Sequence, residues 1–115
     1  MTGIEASTLY GTLNLLLLKT LEDEALHGLE IQRRIDRLTG SSLQIDEGAL
    51  YPALRRLERD GLLESEWGIS EARRRARFYR LTARGQKRLA REQAGWLDYV
   101  KAVARVLKVS PEQQG

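Results

Sequence analysis

Asp46–Trp67 reads DEGALYPALRRLERDGLLESEW, Gly68–Tyr79 reads GISEARRRARFY, and Arg80–Thr82 closes the stretch as RLT. Leu50, Leu54 and Leu57 repeat at the four-then-three spacing of one buried helical stripe, and Asp60-Gly61 is a usual helix stop. At about 100° per residue the opposite face carries Gly48, Tyr51, Pro52, Arg55 and Arg59, which is basic, aromatic and free of large aliphatics. Two strand-like segments follow, Leu62 to Trp67 and Arg77 to Leu81, joined by a linker that ends in a run of arginines. A helix followed by a basic hairpin is the plan of a winged helix-turn-helix. There the helix enters a major groove and the hairpin lies along the backbone.

Working outward, Asp46 is suited to cap this helix and Glu47 favours its N-terminal dipole. Pro52 offers no N–H to the carbonyl of Gly48, so a kink or an irregular first turn is expected. Upstream, Ser7 caps a helix to about Leu21 with Leu9, Leu13, Leu16, Leu17 and Leu21 inward. Leu15 and Leu18 lie off that stripe, which implies cover on more than one face. An acidic connection, Glu22 to Glu24, leads into a helix with Ile31, Ile35 and Leu38 at helical spacing, ended by Gly40. Leu43 to Ile45 is a short strand or simply extended chain.

Downstream, Thr82 caps a long final helix on which Leu89, Trp96, Val100, Val103 and Leu107 fall within roughly 60°. Lys87, Arg91, Asp98, Lys101 and Arg105 occupy the other side, and Ser110-Pro111 closes the helix before a fraying tail. This helix runs about four turns past the winged unit. Its apolar stripe then pairs with the same helix of a second copy, or folds back onto the first helix of its own chain. The expected division is a winged helix-turn-helix domain over 1–82, a dimerisation helix over 83–109 and a frayed tail over 110–115. The fold class is mainly α with a small β-hairpin, α+β.

A chain of 115 residues with 42% hydrophobic and 30% charged residues is one folded domain with at most an arm, not a disordered segment. It has no cysteine, which excludes disulfides and thiolate metal sites and suits a reducing cytoplasm. The longest apolar run, Leu15 to Leu18, is too short to cross a bilayer, and no signal peptide is expected. The net charge is only +3, yet nine basic residues stand between Glu71 and Arg91 against the single acid Glu71. Such a segment would bind phosphate with release of counterions.

The order LNLLLLKTLEDEALHGLEIQRRI, then GALYPALRRLERDGLLESEW, then RRRARFYRLTARGQKRL resembles the PadR family of bacterial transcriptional regulators, in its shorter subgroup with one C-terminal helix. The resemblance covers roughly Thr8 to Leu107. It implies a cytoplasmic homodimeric repressor that binds an inverted-repeat operator in double-stranded DNA through the third helix and wing. In some members a phenolic acid or planar hydrophobic drug near the dimer interface releases the DNA. Gly48, Ala49, Leu50, Tyr51 and Pro52 then open the recognition helix, Arg73 to Arg75 lie in the wing, and His27 and Gly28 start the second helix. Three positions depart from the family. Leu29 replaces a frequent aromatic, Asn14 stands where an acid is common, and Glu47 stands where many members have proline. A carboxylate near the groove can accept from cytosine but otherwise repels phosphate.

The expected DNA-binding set is therefore Gly48, Ala49, Tyr51, Pro52, Arg55, Arg73, Arg74, Arg75 and Arg77, and the dimerisation set is Leu89, Trp96, Val100, Val103 and Leu107. Tyr51 offers its hydroxyl to a phosphate, or is a half-buried spacer between helices. Arg55 binds phosphate or guanine, or is a solvated charge, as Arg56 is more readily. Arg73 to Arg75 contact phosphate or the minor groove. Arg77 and Arg80 alternate with aromatic strand positions and could instead support the sheet. His27 has no second histidine or cysteine to complete a metal site and reads as a helix-start or packing residue. Trp96 packs the dimer core, or contacts a planar aromatic effector near the two-fold axis. A winged-helix module that binds protein is the competing function, disfavoured by the single-signed wing. An enzyme lacks every usual motif here, and neither cofactor nor metal is expected.

Overall fold

A computed structural model describes residues 11–110, so the Ser7 cap, Leu9 and the tail beyond Ser110 lie outside the described residues. Its elements are α1 (Leu13–Thr20), β1 (Leu26–His27), α2 (Gly28–Leu38), α3 (Glu47–Arg59), β2 (Leu63–Ile69), β3 (Arg75–Leu81) and α4 (Ala83–Leu107). The strands form one antiparallel sheet in the order β1-β3-β2. This is a winged-helix arrangement, α+β with a long C-terminal helix.

Leucines and isoleucines from α1, α2 and α3 meet the base of the sheet in one core. Leu17, Leu18, Ile31, Leu50 and Leu54 are each fully inaccessible. Burying such a side chain contributes about 1.5–3 kcal/mol, so the helical stripes carry most of the stabilisation. Leu18 is buried and Leu15 and Leu16 pack partly against the core, so α1 is covered on more than one face. Leu38 is 79% exposed despite its helical spacing, as the last residue of α2.

Three helix starts are capped by side chains. Asp46 Oδ1 accepts from the Ala49 amide at 2.8 Å, Thr82 Oγ1 from the Gly85 amide at 3.0 Å, and His27 Nδ1 from the Glu30 amide at 3.3 Å. Pro52 neither ends nor interrupts α3, which is continuous from Glu47 to Arg59. The bond it cannot make falls at Gly48, within the first turn. Leu43 to Ile45 forms no strand. The Ile45 side chain is buried, and its carbonyl accepts from Gln32 Nε2 at 2.7 Å.

The hairpin strands are longer than their apolar patterns. Pairing runs from Leu63↔Leu81 at the base to Ile69↔Arg75 at the tip. The connecting turn is short: Arg73 donates to the Ser70 carbonyl at 2.9 Å, and Ser70 donates to that of Arg74 at 2.9 Å. Arg73 has φ 59°, the left-handed conformation that closes a three-residue hairpin loop and that glycine or asparagine usually fills.

The start of α4 is part of this core. Leu89 is 1% exposed, so it is a core residue of its own chain and not a member of a dimer stripe. Gly85 lies so close to the Leu62 carbonyl that a Cβ there would collide with it, and the Thr82 amide donates to the same carbonyl at 3.1 Å. The helix packs on α1, and Gln86 Nε2 donates to the Glu22 carbonyl at 3.3 Å.

Candidate nucleic-acid interface

The core-facing stripe of α3 (Leu50, Ala53, Leu54, Leu57) is buried, which leaves Gly48, Arg55, Arg56 and Arg59 exposed on its outer surface. Among the described residues these three arginines enter no salt bridge. Gly48 and Pro52 stay accessible along one side, while Ala49 packs partly against the core.

Tyr51 is half-buried between the helices. Its ring lies against Gly28 at the start of α2, with burial and then Glu47 holding its phenol above the ordinary range.

Across from α3 stands the wing. In the antiparallel register Leu63, Ser65, Trp67 and Ile69 share one face of the hairpin with Leu81, Tyr79, Arg77 and Arg75. At its base this face closes on the core. Towards the tip it emerges as Trp67, Ile69, Arg75 and Arg77, with Arg73 and Arg74 in the turn. Arg73 and Arg74 make no salt bridge among the described residues, so their charges face solvent.

Arg77, expected at the groove, is engaged inside the chain. Its Nε donates to Ser65 Oγ at 2.8 Å, and its guanidinium lies 3.9 Å from Glu58 of α3 and over the Trp67 ring. This is the sheet-supporting role. Arg80 is likewise held on the other face, 2.7 Å from Glu64, which raises its pKa.

His27 is the one buried polar side chain of the described core. Its ring meets Phe78 edge-on at 5.3 Å between centroids, and its Nε2 lies 3.4 Å from the Glu71 carboxylate in the wing turn. That carboxyl is held below its usual range by its own backbone amide and then by His27. Sequence reading missed Glu58, Glu71 and Trp67. Only Trp67 left a signal, as an aromatic facing arginines at strand spacing.

Residues 17–91 match the transcriptional regulator PadR-like family. The chain belongs to the PadR-like family. Among relatives, it is 37% identical over 70 residues to a transcriptional regulator of Mycobacterium tuberculosis, a match spanning 61% of this chain and 62% of that one. A transcriptional regulator from Clostridium thermocellum superposes with a TM-score of 0.79 at 28% identity, covering 87% of this chain and 97% of the other. A PadR family transcriptional regulator from Eggerthella lenta gives 0.74 at 30% identity, with 90% and 88% covered. This PadR-like chain is thus a transcriptional regulator, and PadR-like regulators are DNA-binding proteins. No described helix is long and apolar enough to cross a membrane.

Beyond Leu89, the PadR-like chain exposes an apolar surface along α4. Trp96 is 41%, Leu107 64% and Tyr99 67% exposed. Trp96, Val100, Val103, Ala104 and Leu107, with Tyr99 and Val109, line an open groove of about 370 Å³.

Proposed function

We propose that this regulator is a homodimeric repressor. Two copies join through the second half of α4, place two α3 helices in successive major grooves of an inverted-repeat operator, and set each wing turn on the flanking phosphates. Arg55, Arg73, Arg74 and Arg75 are the contacts of this reading, and Gly48 lets the start of α3 approach the duplex closely. Phosphate contacts supply most of the affinity and α3 most of the sequence choice.

The observation that carries the reading is the row of arginines on α3 and the wing turn that enter no salt bridge among the described residues, set on a chain that exposes Trp96 and Leu107 along α4. Trp96 and Leu107 left in water beside half-buried Val100 and Val103 are costly, and a second copy covers them self-complementarily. A small aromatic or hydrophobic effector enters the groove beside Trp96 and changes the separation of the two α3 helices, which spoils the fit to the two half-sites.

The test is binding stoichiometry. Sedimentation of the free protein and titration onto a duplex with an inverted repeat should give a dimer and two chains per duplex. A planar aromatic cation that quenches Trp96 should release the DNA. A monomer bound one per duplex, indifferent to every aromatic probe, overturns the dimeric, effector-released reading.

A further inference from the structure

Trp67 is a large aromatic that the core does not use. It is 55% exposed, near the tip of the hairpin, and two guanidinium groups lie over its ring, that of Arg75 at 4.5 Å and that of Arg77 at 5.4 Å from the centroid. The two arginines are separated by one residue on β3 and so share a face, and Arg77 is the register partner of Trp67. Beneath this stack runs a polar chain to α3. Ser65 Oγ donates to Glu58 Oε2 at 2.6 Å, and Arg77 donates to Ser65 and lies 3.9 Å from Glu58. Glu58, Ser65, Arg77, Trp67 and Arg75 therefore form a continuous ladder from the DNA-reading helix to the wing.

We propose that Trp67 is a positioning residue for DNA binding, which holds the Arg75 guanidinium in the orientation that grips a backbone phosphate. This rests on the DNA-binding reading above and deepens it. A guanidinium stacked on an indole gives up one face to the ring and keeps its in-plane N–H donors, the groups that recognise a phosphate oxygen. Stacking also removes rotamer freedom that a lone strand arginine would lose on binding. Arg77 cannot serve in the same way, because Ser65 and Glu58 already hold it. Its place is to fix the indole, and through Glu58 to fix the wing relative to α3. The competing explanation is a plain cross-strand contact that stiffens the hairpin without touching affinity.

The experiment is a double-mutant cycle on the full chain, W67A, R75A and W67A/R75A, with W67F as the conservative variant. It reads affinity and salt dependence by fluorescence anisotropy on a labelled 30-base-pair duplex of random sequence. Arg75→Ala should weaken binding about five- to tenfold and lower the log–log salt slope by about one. Trp67→Ala should do nearly the same, the double variant should be no worse than about twofold beyond either, and Trp67→Phe should recover most of the loss. Additive losses, or a Trp67→Ala protein that binds as wild type while Arg75→Ala does not, overturn the positioning role and leave DNA binding intact. A wild-type chain that binds no duplex overturns both readings. An exposed indole should be removable without unfolding, and Trp67→Phe decides the matter if the alanine variant is damaged.

Discussion

Tyr51 lies across the α-carbon of Gly28: a methyl group built there would stand 2.6 Å from a ring carbon of Tyr51 and 2.8 Å from its hydroxyl oxygen. The start of α2 and the side of α3 meet at this contact, so the fit between the two helices of the helix-turn-helix involves a residue with no side chain. Gly28→Ala must push the ring or the helix aside. It should cost about 1–3 kcal/mol of stability, read from urea unfolding, and the cost should shrink when Tyr51 is also made alanine. Equal cost in both backgrounds would show that the ring is not what the methyl meets.

The wing turn trades stability for charge. Arg73 sits at φ 59°, where an L-residue is strained by about 1–2 kcal/mol relative to its ordinary conformation. Arg73→Gly should therefore raise the free energy of unfolding by roughly 0.5–1 kcal/mol after the entropy of the added glycine is offset. It should weaken duplex binding at the same time. A glycine variant that gained stability and kept its full affinity would remove Arg73 from the interface.

Replacing Arg73, Arg74 and Arg75 together by alanine should weaken binding to every sequence and flatten its salt dependence, with a slope lower by roughly two to three. Anisotropy titrations on specific and random duplexes at several salt concentrations would show it. Unaltered affinity on both duplexes would mean that the wing lies off the DNA.

On α4, Trp96→Asp places a charge in the apolar groove. Trp96 is 41% exposed in the single chain, so the variant should keep its fold by circular dichroism and sediment at half the wild-type mass. A dimer that survived the charge would put the two-fold contact elsewhere.

Alkali tests the two half-hidden phenols. Burial first, then Glu47 for Tyr51 and Glu58 for Tyr79, raises both above the ordinary value of 10.0. A raised folded pKa gives stability that is complete below the unfolded value and is lost as pH rises through the folded one. Urea midpoints should therefore fall as pH rises above about 10, and less so in Y51F/Y79F. An equal fall in both proteins would assign the alkaline loss to other groups.

The helical part of this fold was legible because its signals are local. Leu50, Leu54 and Leu57 set the buried side of α3, and Asp46 and Thr82 cap where their side chains suggest. What needed coordinates was long-range. β1 is two residues, too short to carry a period, and exists only through its register with Tyr79 and Phe78. Leu89 shares its helical face with Trp96, yet Leu89 is buried in the core and Trp96 is largely exposed, a difference no wheel contains. For Tyr51 and Arg77 the sequence leaves a DNA contact and a structural role open, because the neighbours Gly28 and Glu58 are distant in sequence. The wing arginines were visible as charge density, while the left-handed turn that displays Arg73 was not.

The most direct test is selection of bound duplexes from a random library by the purified protein at moderate salt, followed by sequencing. A dimeric regulator that reads DNA through two α3 helices should enrich an inverted repeat with one fixed half-site spacing, near one helical turn of about 10 base pairs. Recovery of unenriched DNA, or of single half-sites with no partner, would contradict it.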